Sequence, residues 1–175
     1  MKFEKFDLSA PKYNESQAKE AYTKAVSTLT ERGLTVATAE SCTGGLMGKL
    51  FTDVSGASAV FAGGMITYTN HIKINKLGVS EETVNKYSEV SFECAAEMAI
   101  RAREYFETDI GISATGFAGP TGGTETDPVG TVYLGISATG GTKVFRLSFS
   151  DCSRDEIRFS TAKIAADELL EPKKS

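Results

Sequence analysis

Metal-binding residues, long apolar segments and an excess of one charge are all scarce in this 175-residue sequence. It contains one histidine and no C-x-x-C pair, so we expect no structural zinc site and no other metal. No apolar run reaches the length of a membrane helix. The net charge of −4 gives no general attraction to nucleic acid or anionic membranes. We therefore expect neither of these partners, and an anionic ligand would need local basic groups.

Cysteine is also sparse, and the number of cysteines is odd. The three are Cys42, Cys94 and Cys152. Their wide spacing favours reduced thiols in a cytoplasmic protein over a disulfide framework. Residues 1–14 lack the apolar segment of a secretory signal, so we expect a short polar lead-in there. The length predicts one domain, over 15–170, with a tail over 171–175.

Apolar periodicity predicts helices that alternate with short strands. The predicted helices span 15–32, 44–51, 70–77, 81–87 and 92–105, and a last helix begins at residue 153. The predicted strands span 34–39, 60–69, 110–115, 132–137 and 143–149. Helices between the early strands favour a parallel core, and the last two strands form an antiparallel hairpin. The sequence therefore predicts an α/β fold with a mixed sheet.

Polar residues follow three of the predicted strands. Ser41 follows the first strand, Tyr68 and Asn70 follow the second, and Thr115 follows the third. In an open α/β sheet, ligands bind beyond the carboxyl ends of the strands. If these strands are parallel, the four side chains meet on one rim of the sheet, and the pattern predicts a binding site there.

The stretch TAESCTGG joins the first strand to a helix that is expected to start near Thr43. Amides at a helix N-terminus are unpaired and partly positive, and Gly44 and Gly45 let a ligand approach the backbone closely. Such a turn can hold an oxyanion or a phosphate beside a nucleophile at Ser41. Two alternatives stay open. Ser41 or Thr43 caps the helix, or Cys42 is the nucleophile, because a helix N-terminus also lowers the pKa of a thiol.

The stretch YTNHIK places a lysine just beyond the second strand. With Asn70 as the N-cap, Lys73 occupies the third helical position. The positive end of the helix dipole disfavours an ammonium group there and predicts a lowered pKa for Lys73. A lysine that is close to neutral can act as general base for a serine hydroxyl. The alternatives are an exposed lysine without a task and a base at His71, the single histidine.

Two later features complete the candidate site. Thr115 begins a glycine-rich loop whose amides can surround a ligand while the threonine donates to the nucleophile or to the substrate. The alternative for this loop is a mobile surface segment. Arg154 and Arg158 are four residues apart on one helix face and can clamp a phosphate. The alternative for the arginines is pairing with Asp151 or Asp155.

Four motifs together resemble the CinA C-terminal domain family. They are TAESCTGG, GGMITYTNHIKINKLGV, SATGFAGPTGGTETDPVGTVYLG and DCSRDEIR, in the family's order and spacing across roughly residues 15–170. The resemblance implies a three-layer α/β/α sandwich with a mixed, mostly parallel five-stranded sheet. It also implies hydrolysis of the carboxamide of nicotinamide mononucleotide to nicotinate mononucleotide and ammonia, in pyridine nucleotide recycling.

The resemblance also implies roles for particular residues. The family's nucleophile falls on Ser41, and its base falls on Lys73, assisted by Tyr68. Thr115 orients the nucleophile or the carboxamide. The positions implied to hold the oxyanion or the substrate are Thr43, Gly44, Gly45, Asn70, Gly116, Arg154 and Arg158. The sequence departs from the family at Thr69, where a serine is usual.

Other functions stay open beside this amidase. One alternative is a non-catalytic module that binds pyridine nucleotides or takes part in competence or damage responses. Another is a cysteine amidase that uses Cys42. Two-domain members of the family carry an additional N-terminal domain, whose functions do not transfer to this chain. We expect no cofactor, and we expect a homo-oligomer because helix 92–105 is rich in apolar residues.

Overall fold

The computed structural model describes residues 2–170, in which helices cover both sides of a six-stranded sheet. The strands are β1 (Glu4–Ser9), β2 (Val36–Glu40), β3 (Phe61–Ile66), β4 (Ile110–Gly116), β5 (Thr131–Ala138) and β6 (Gly141–Ser148). The helices are α1 (Glu15–Arg32), α2 (Leu46–Thr52), α3 (Asn70–Ile72), α4 (Glu81–Tyr87), α5 (Phe92–Tyr105) and α6 (Arg154–Leu170). A π-helical turn over Lys73–Leu77 directly follows α3. Within the described range, no helix is both long and apolar enough to cross a membrane.

The sheet has the strand order β1-β6-β5-β4-β2-β3. Strand β2 lies parallel between β3 and β4, so the carboxyl ends of these three strands share one edge of the sheet. Strands β5 and β6 continue the sheet in antiparallel pairings, as the predicted hairpin required. The predicted α/β sandwich with a mixed, mostly parallel sheet is therefore confirmed.

Strand β1 was not predicted, and the sheet has six strands rather than five. Residues 1–14 were expected to be a polar lead-in, but Glu4–Ser9 pairs parallel with β6. Five of the six β1 residues are exposed, and Phe6 alone is partly buried, where its ring stacks on Phe145 with centroids 5.0 Å apart. An edge strand joined through its backbone does not need an alternating apolar pattern, which explains the error.

Capping residues fix the ends of the two longest helices. At the start of α1, Asn14 N–H donates to Gln17 Oε1 and Gln17 N–H donates to Asn14 Oδ1, both across 3.0 Å. Gly33 ends that helix with a φ of 60°. Ser153 and Glu156 form the predicted capping box at the start of α6. These local signals explain why the sequence placed both helices correctly.

The helices form two layers around the sheet. Helices α1, α2 and α6 pack together on one side, and α5 packs across β4 and β5 on the other. The apolar residues of α5 that were expected to support a homo-oligomer are buried within the chain itself. They are Cys94, Ala95, Ala96, Met98, Ala99 and Ala102. The reason given for a homo-oligomer is therefore wrong, because this helix face is already covered by the chain's own sheet.

Candidate active site

A cavity of about 400 Å³ lies at the carboxyl ends of β2, β3 and β4. It is lined by residues from the turn after β2, the segment after β3, the α4–α5 connection, the loop after β4 and the start of α6. These are Ser41, Cys42, Tyr68, Thr69, Asn70, Lys73, Glu89, Val90, Thr115, Gly116, Phe117, Ala118, Gly119, Thr121 and Arg154. The parallel sheet thus brings together the four polar residues that follow separate strands in the sequence.

Ser41 and Lys73 lie in direct contact in this cavity. The Lys73 Nζ donates to Ser41 Oγ across 3.2 Å, and the two residues are only 1% and 8% exposed, respectively. Burial lowers the pKa of Lys73 below its ordinary value of 10.5. The pKa of Lys73 is lowered, as predicted, but the principal cause is desolvation rather than the helix dipole.

The start of α3 differs from the prediction in one residue. Thr69, not Asn70, is the N-cap, and its Oγ1 accepts from the Ile72 N–H across 3.3 Å. Asn70 is exposed and lines the cavity from the first turn of the helix. The π-helical turn that follows carries Lys73 into the interior, and Val79 N–H donates to the Lys73 carbonyl across 3.0 Å.

The amides of Gly44 and Gly45 are not available to a ligand. Gly44 N–H donates to the Ser41 carbonyl across 3.1 Å, and Gly45 N–H donates to Glu40 Oε2 across 3.0 Å. The prediction that these two amides hold an oxyanion is therefore wrong. Gly45 is required for its backbone, since its φ is 94° and a Cβ there would lie 3.2 Å from Ile66.

Glu40 is the residue near Ser41 that sequence reasoning missed. Its buried carboxylate also accepts from the N–H groups of Met47 and Gly48 at the start of α2. An acid placed between a strand and a helix N-terminus is the signal that indicates this role, because such a carboxylate complements the helix dipole. Glu40 was missed because the residues of this turn that predict a site from their type are the hydroxyls, the thiol and the glycines.

Of the two residues that follow Ser41, Cys42 lines the cavity and Thr43 does not. Within residues 2–170, the amides of Cys42 and Thr43 donate to no other residue. The Thr43 side chain is fully buried outside the cavity lining, and its hydroxyl has no partner, so it neither caps α2 nor contacts a ligand. Burial raises the pKa of the Cys42 thiol to about 12. A thiol with that pKa stays protonated, which disfavours Cys42 as nucleophile.

The two arginines of α6 have different positions. Arg154 lines the cavity, where its Nη1 donates to the Gly119 carbonyl across 2.7 Å. Arg158 lies behind the nucleophile turn, donates to the Thr43 carbonyl across 2.8 Å and pairs with Asp155. The predicted two-arginine clamp is therefore wrong, and Arg154 alone faces the cavity.

Tyr68 also has a different partner from the predicted one. Its side chain is 59% exposed, and its hydroxyl accepts from Arg154 Nη2 across 3.5 Å. No hydrogen bond joins Tyr68 to Lys73 in the described part of the chain. The predicted assistance to Lys73 does not fit this geometry, which places Tyr68 at the cavity mouth.

The end of β4 forms another wall of the cavity. The Thr115 hydroxyl donates to the Glu89 carbonyl across 2.7 Å and therefore not to Ser41, which was one of its two predicted partners; a role in orienting the carboxamide stays a prediction. Gly116 allows β4 and β5 to approach, because a Cβ there would lie 2.5 Å from the Thr131 carbonyl oxygen. Glu89, which sequence reasoning did not single out, lines the cavity beside these residues.

The glycine-rich loop after β4 is tied down at several points. Gly130 N–H donates to the Phe117 carbonyl across 2.7 Å, which closes the base of the loop. Asp127 accepts from the Tyr133 hydroxyl across 2.8 Å and from Arg146 Nε across 3.0 Å. The side of the loop near Gly116 lines the cavity. His71 lies outside the lining, exposed, beside Asn75.

This combination defines a class of protein: an α/β sandwich with a buried serine–lysine pair at the carboxyl ends of parallel strands. Residues 18–172 match the family described as CinA C-terminal domain. The chain therefore belongs to the CinA family.

Relatives of known sequence carry names from the same family. A protein of Halothermothrix orenii whose name calls it competence-damage inducible is 51% identical over 138 residues, covering 78% of this chain and 33% of the relative. A CinA-like protein of Kosmotoga olearia is 48% identical over 142 residues, covering 81% of this chain and 34% of the relative. The chain thus spans about a third of the length of these relatives.

Solved structures of similar size share the fold. The competence/damage inducible protein CihA of Agrobacterium tumefaciens has a TM-score of 0.85 at 37% identity, covering 88% of this chain and 94% of that one. A CinA superfamily protein of Escherichia coli also has a TM-score of 0.85, at 28% identity, covering 92% and 94% of the two chains.

Proposed function

We propose that this chain is a serine amidase that hydrolyses the carboxamide of nicotinamide mononucleotide to nicotinate mononucleotide and ammonia. The observation that carries the proposal is the 3.2 Å contact between Ser41 Oγ and the buried Lys73 Nζ. The family membership and the motif order support the choice of substrate. We place the reaction in the cytoplasm, within pyridine nucleotide recycling, where the three free thiols would persist.

The burial of Lys73 suits it to act as general base. Removing an ammonium group from water favours its neutral form, and a neutral amine can accept the proton of a serine hydroxyl. Two of the nearby groups, Cys42 and Cys94, are thiols whose pKa values burial raises to about 12, so they stay neutral at pH 7. Desolvation therefore remains the principal influence on the amine.

The proposed reaction has two stages. Ser41 Oγ attacks the carboxamide carbon while its proton passes to Lys73 Nζ. When the tetrahedral intermediate collapses, the C–N bond breaks and Lys73 returns the proton to the leaving nitrogen, so ammonia departs. Water then attacks the ester on Ser41 and gives a proton to Lys73. The bond between the acyl carbon and Ser41 Oγ breaks, Lys73 returns the proton to Oγ, and nicotinate mononucleotide departs from the regenerated serine.

The cavity also suits the rest of a mononucleotide. Its volume of about 400 Å³ is in the range of small-molecule sites. Arg154 provides a cation at the cavity wall and would bind the 5′-phosphate with the support of the Gly119 carbonyl. Asn70 provides an exposed amide on the opposite segment for the sugar hydroxyls.

Ammonia release from nicotinamide mononucleotide tests the proposal. The parent protein should release ammonia and nicotinate mononucleotide in equal amounts, and Ser41→Ala should lower the rate by at least about 1,000-fold. The matched control is Cys42→Ser, which alters the neighbouring residue and should keep most of the rate. Parental activity in Ser41→Ala, or its loss only in Cys42→Ser, would overturn the serine assignment. Tight binding of the mononucleotide without any turnover would instead indicate a non-catalytic binding module.

A further inference from the structure

The Glu40 carboxylate is fixed by more hydrogen bonds than any other side chain described around Ser41. It is 2% exposed. Its Oε2 accepts from Gly45 N–H and Met47 N–H, both across 3.0 Å, and its Oε1 accepts from Gly48 N–H across 2.8 Å. Hydrogen bonds from backbone N–H groups to a carboxylate are among the strong ones in proteins. The carboxylate therefore joins the end of β2 firmly to the first turn of α2.

The backbone around Ser41 is fixed on its two other sides by neighbouring strands. Ser41 N–H donates to the Ala114 carbonyl across 2.9 Å, and Thr67 N–H donates to the Glu40 carbonyl across 2.7 Å. These bonds extend the pairing of β2 with β4 and β3 by one residue. Only the segment toward α2 lacks a strand partner, and that is the segment that the Glu40 side chain holds.

A small residue on the neighbouring strand leaves room for a further hydrogen bond to the Glu40 carboxylate. Thr38 Oγ1 donates to Glu40 Oε1 across 3.3 Å. A Cβ at residue 64 would lie 2.2 Å from Thr38 Oγ1, so only a glycine there leaves this hydroxyl in place.

We propose that Glu40 is a positioning residue for Ser41. Its carboxylate holds the turn between β2 and α2 so that Ser41 Oγ stays beside Lys73 Nζ. Because its carboxylate occupies the amides at the start of α2, the Cys42 amide is left as the donor of this turn for an oxyanion, since Cys42 lines the cavity. The inference rests on the proposed amidase function for one of its two readouts.

Glu40→Gln is the variant that tests this role, because it keeps the size of the side chain. It replaces one carboxylate oxygen with an NH₂ group, which would face amide donors, so at least one hydrogen bond to α2 is lost. The first readout is kcat and KM for hydrolysis of nicotinamide mononucleotide. The second is the rate at which a fluorophosphonate labels Ser41, a step in which an O–P bond forms, the P–F bond breaks and the serine proton passes to Lys73.

We expect Glu40→Gln to lower both kcat and the labelling rate by about 100-fold, as a small displacement of reacting groups does. KM should stay within about threefold, and the pH dependence of kcat should keep the parental midpoint, because Lys73 is untouched. Near-UV circular dichroism should show a folded protein. The matched control is Asp53→Asn at the opposite end of α2, which should leave both rates at the parental level.

Three outcomes would overturn the inference. A folded Glu40→Gln protein with both rates within twofold of the parent shows that Ser41 does not depend on Glu40. If Glu40→Gln and Glu40→Asp are both unfolded at 25 °C, the carboxylate serves the fold rather than the nucleophile. A parent that is not labelled at all shows that Ser41 is not a nucleophile. A parent that is labelled but does not hydrolyse the mononucleotide refutes the proposed function alone, and the labelling rates still decide the role of Glu40.

Discussion

At the scale of single residues, the site depends on the burial of one amine. Lys73 is among the most fully buried large side chains of the described chain, although lysine is rarely buried. Its amine donates a hydrogen bond to the Ser41 hydroxyl across 3.2 Å. At neutral pH a larger fraction of this amine is unprotonated than of an exposed lysine, so more of it is available as a general base.

Replacing Lys73 should abolish turnover without preventing substrate binding. We expect Lys73→Met to lower kcat by about 100- to 10,000-fold, since general base catalysis typically contributes that much. The dissociation constant for the mononucleotide, measured by calorimetry, should change much less. The control is Lys76→Met in the same π-helical turn, which should retain activity. A Lys73→Met protein with parental kcat would contradict the proposed base.

The lowered pKa of Lys73 also predicts how stability depends on pH. Between the folded pKa and the ordinary value of 10.5, the unfolded chain binds more protons than the folded chain, so the stability contributed by this group rises with pH. Below the folded pKa the full penalty of burying the charge applies. Thermal melts should therefore show that Lys73→Met is more stable than the parent at pH 7, with a difference that narrows toward pH 10.5. A difference that widens with pH would contradict this assignment.

Arg154 should distinguish substrates that carry a phosphate from those that lack one. We expect Arg154→Met to raise KM for the mononucleotide by about 10- to 100-fold, the cost of losing a hydrogen bond to a charged group. KM for the corresponding riboside should change little, because it has no phosphate. Arg158→Met serves as the control, since Arg158 lies outside the cavity. An equal effect of Arg154→Met on both substrates would show that it does not bind the phosphate.

The sequence predicted that the main residues of the site lie together, but it did not predict all of their hydrogen-bond partners. Strand ends and motif spacing identified Ser41 and Lys73, since parallel strands bring their carboxyl ends together. Which acceptor takes the Thr115 hydroxyl or the Gly45 amide depends on distances of a few tenths of an ångström. Those distances are set by packing across the whole sheet, and no local pattern reports them.

At the scale of helices and strands, close backbone contacts shape the cavity. Gly116 ends β4 where a Cβ would meet the Thr131 carbonyl oxygen at 2.5 Å, whereas a Cβ at Gly140 meets nothing within 4 Å. We expect Gly116→Ala to lower the free energy of unfolding by about 2 kcal/mol, because β4 and β5 must separate. Gly140→Ala should change it by no more than about 0.5 kcal/mol. Urea denaturation of both variants checks this, and equal stabilities would contradict the close approach.

Elements with strong end signals were predicted accurately, and those without such signals were not. Helices α1, α4 and α5 have the predicted bounds, and in α1 and α5 a capping side chain agrees with the apolar periodicity. Helix α2 starts two residues later than predicted, since Gly44 and Gly45 both adopt positive φ. Strand β1 was not predicted, because its mostly exposed side chains show no alternating apolar pattern.

At the scale of the whole molecule, one edge of the sheet lies apart from the candidate site. In the strand order, β5 separates β1 and β6 from β4, β2 and β3, whose carboxyl ends carry the site. We expect Phe6→Ala to lower the free energy of unfolding by about 2 kcal/mol, because the ring stacked on Phe145 is lost. Per folded molecule, kcat should be unchanged. A fall in kcat that exceeds the fall in folded fraction would show that the edge strand influences the site.

In the proposed reaction, Ser41 becomes covalently attached to the acyl group of the mononucleotide during turnover. Rapid acid quenching followed by mass spectrometry of peptides that contain residue 41 tests this directly. We expect an acyl adduct on Ser41 in the parent protein, its absence from Ser41→Ala, and its disappearance as the substrate is exhausted. Steady ammonia release by the parent without any adduct on Ser41, together with undiminished release by Ser41→Ala, would contradict it.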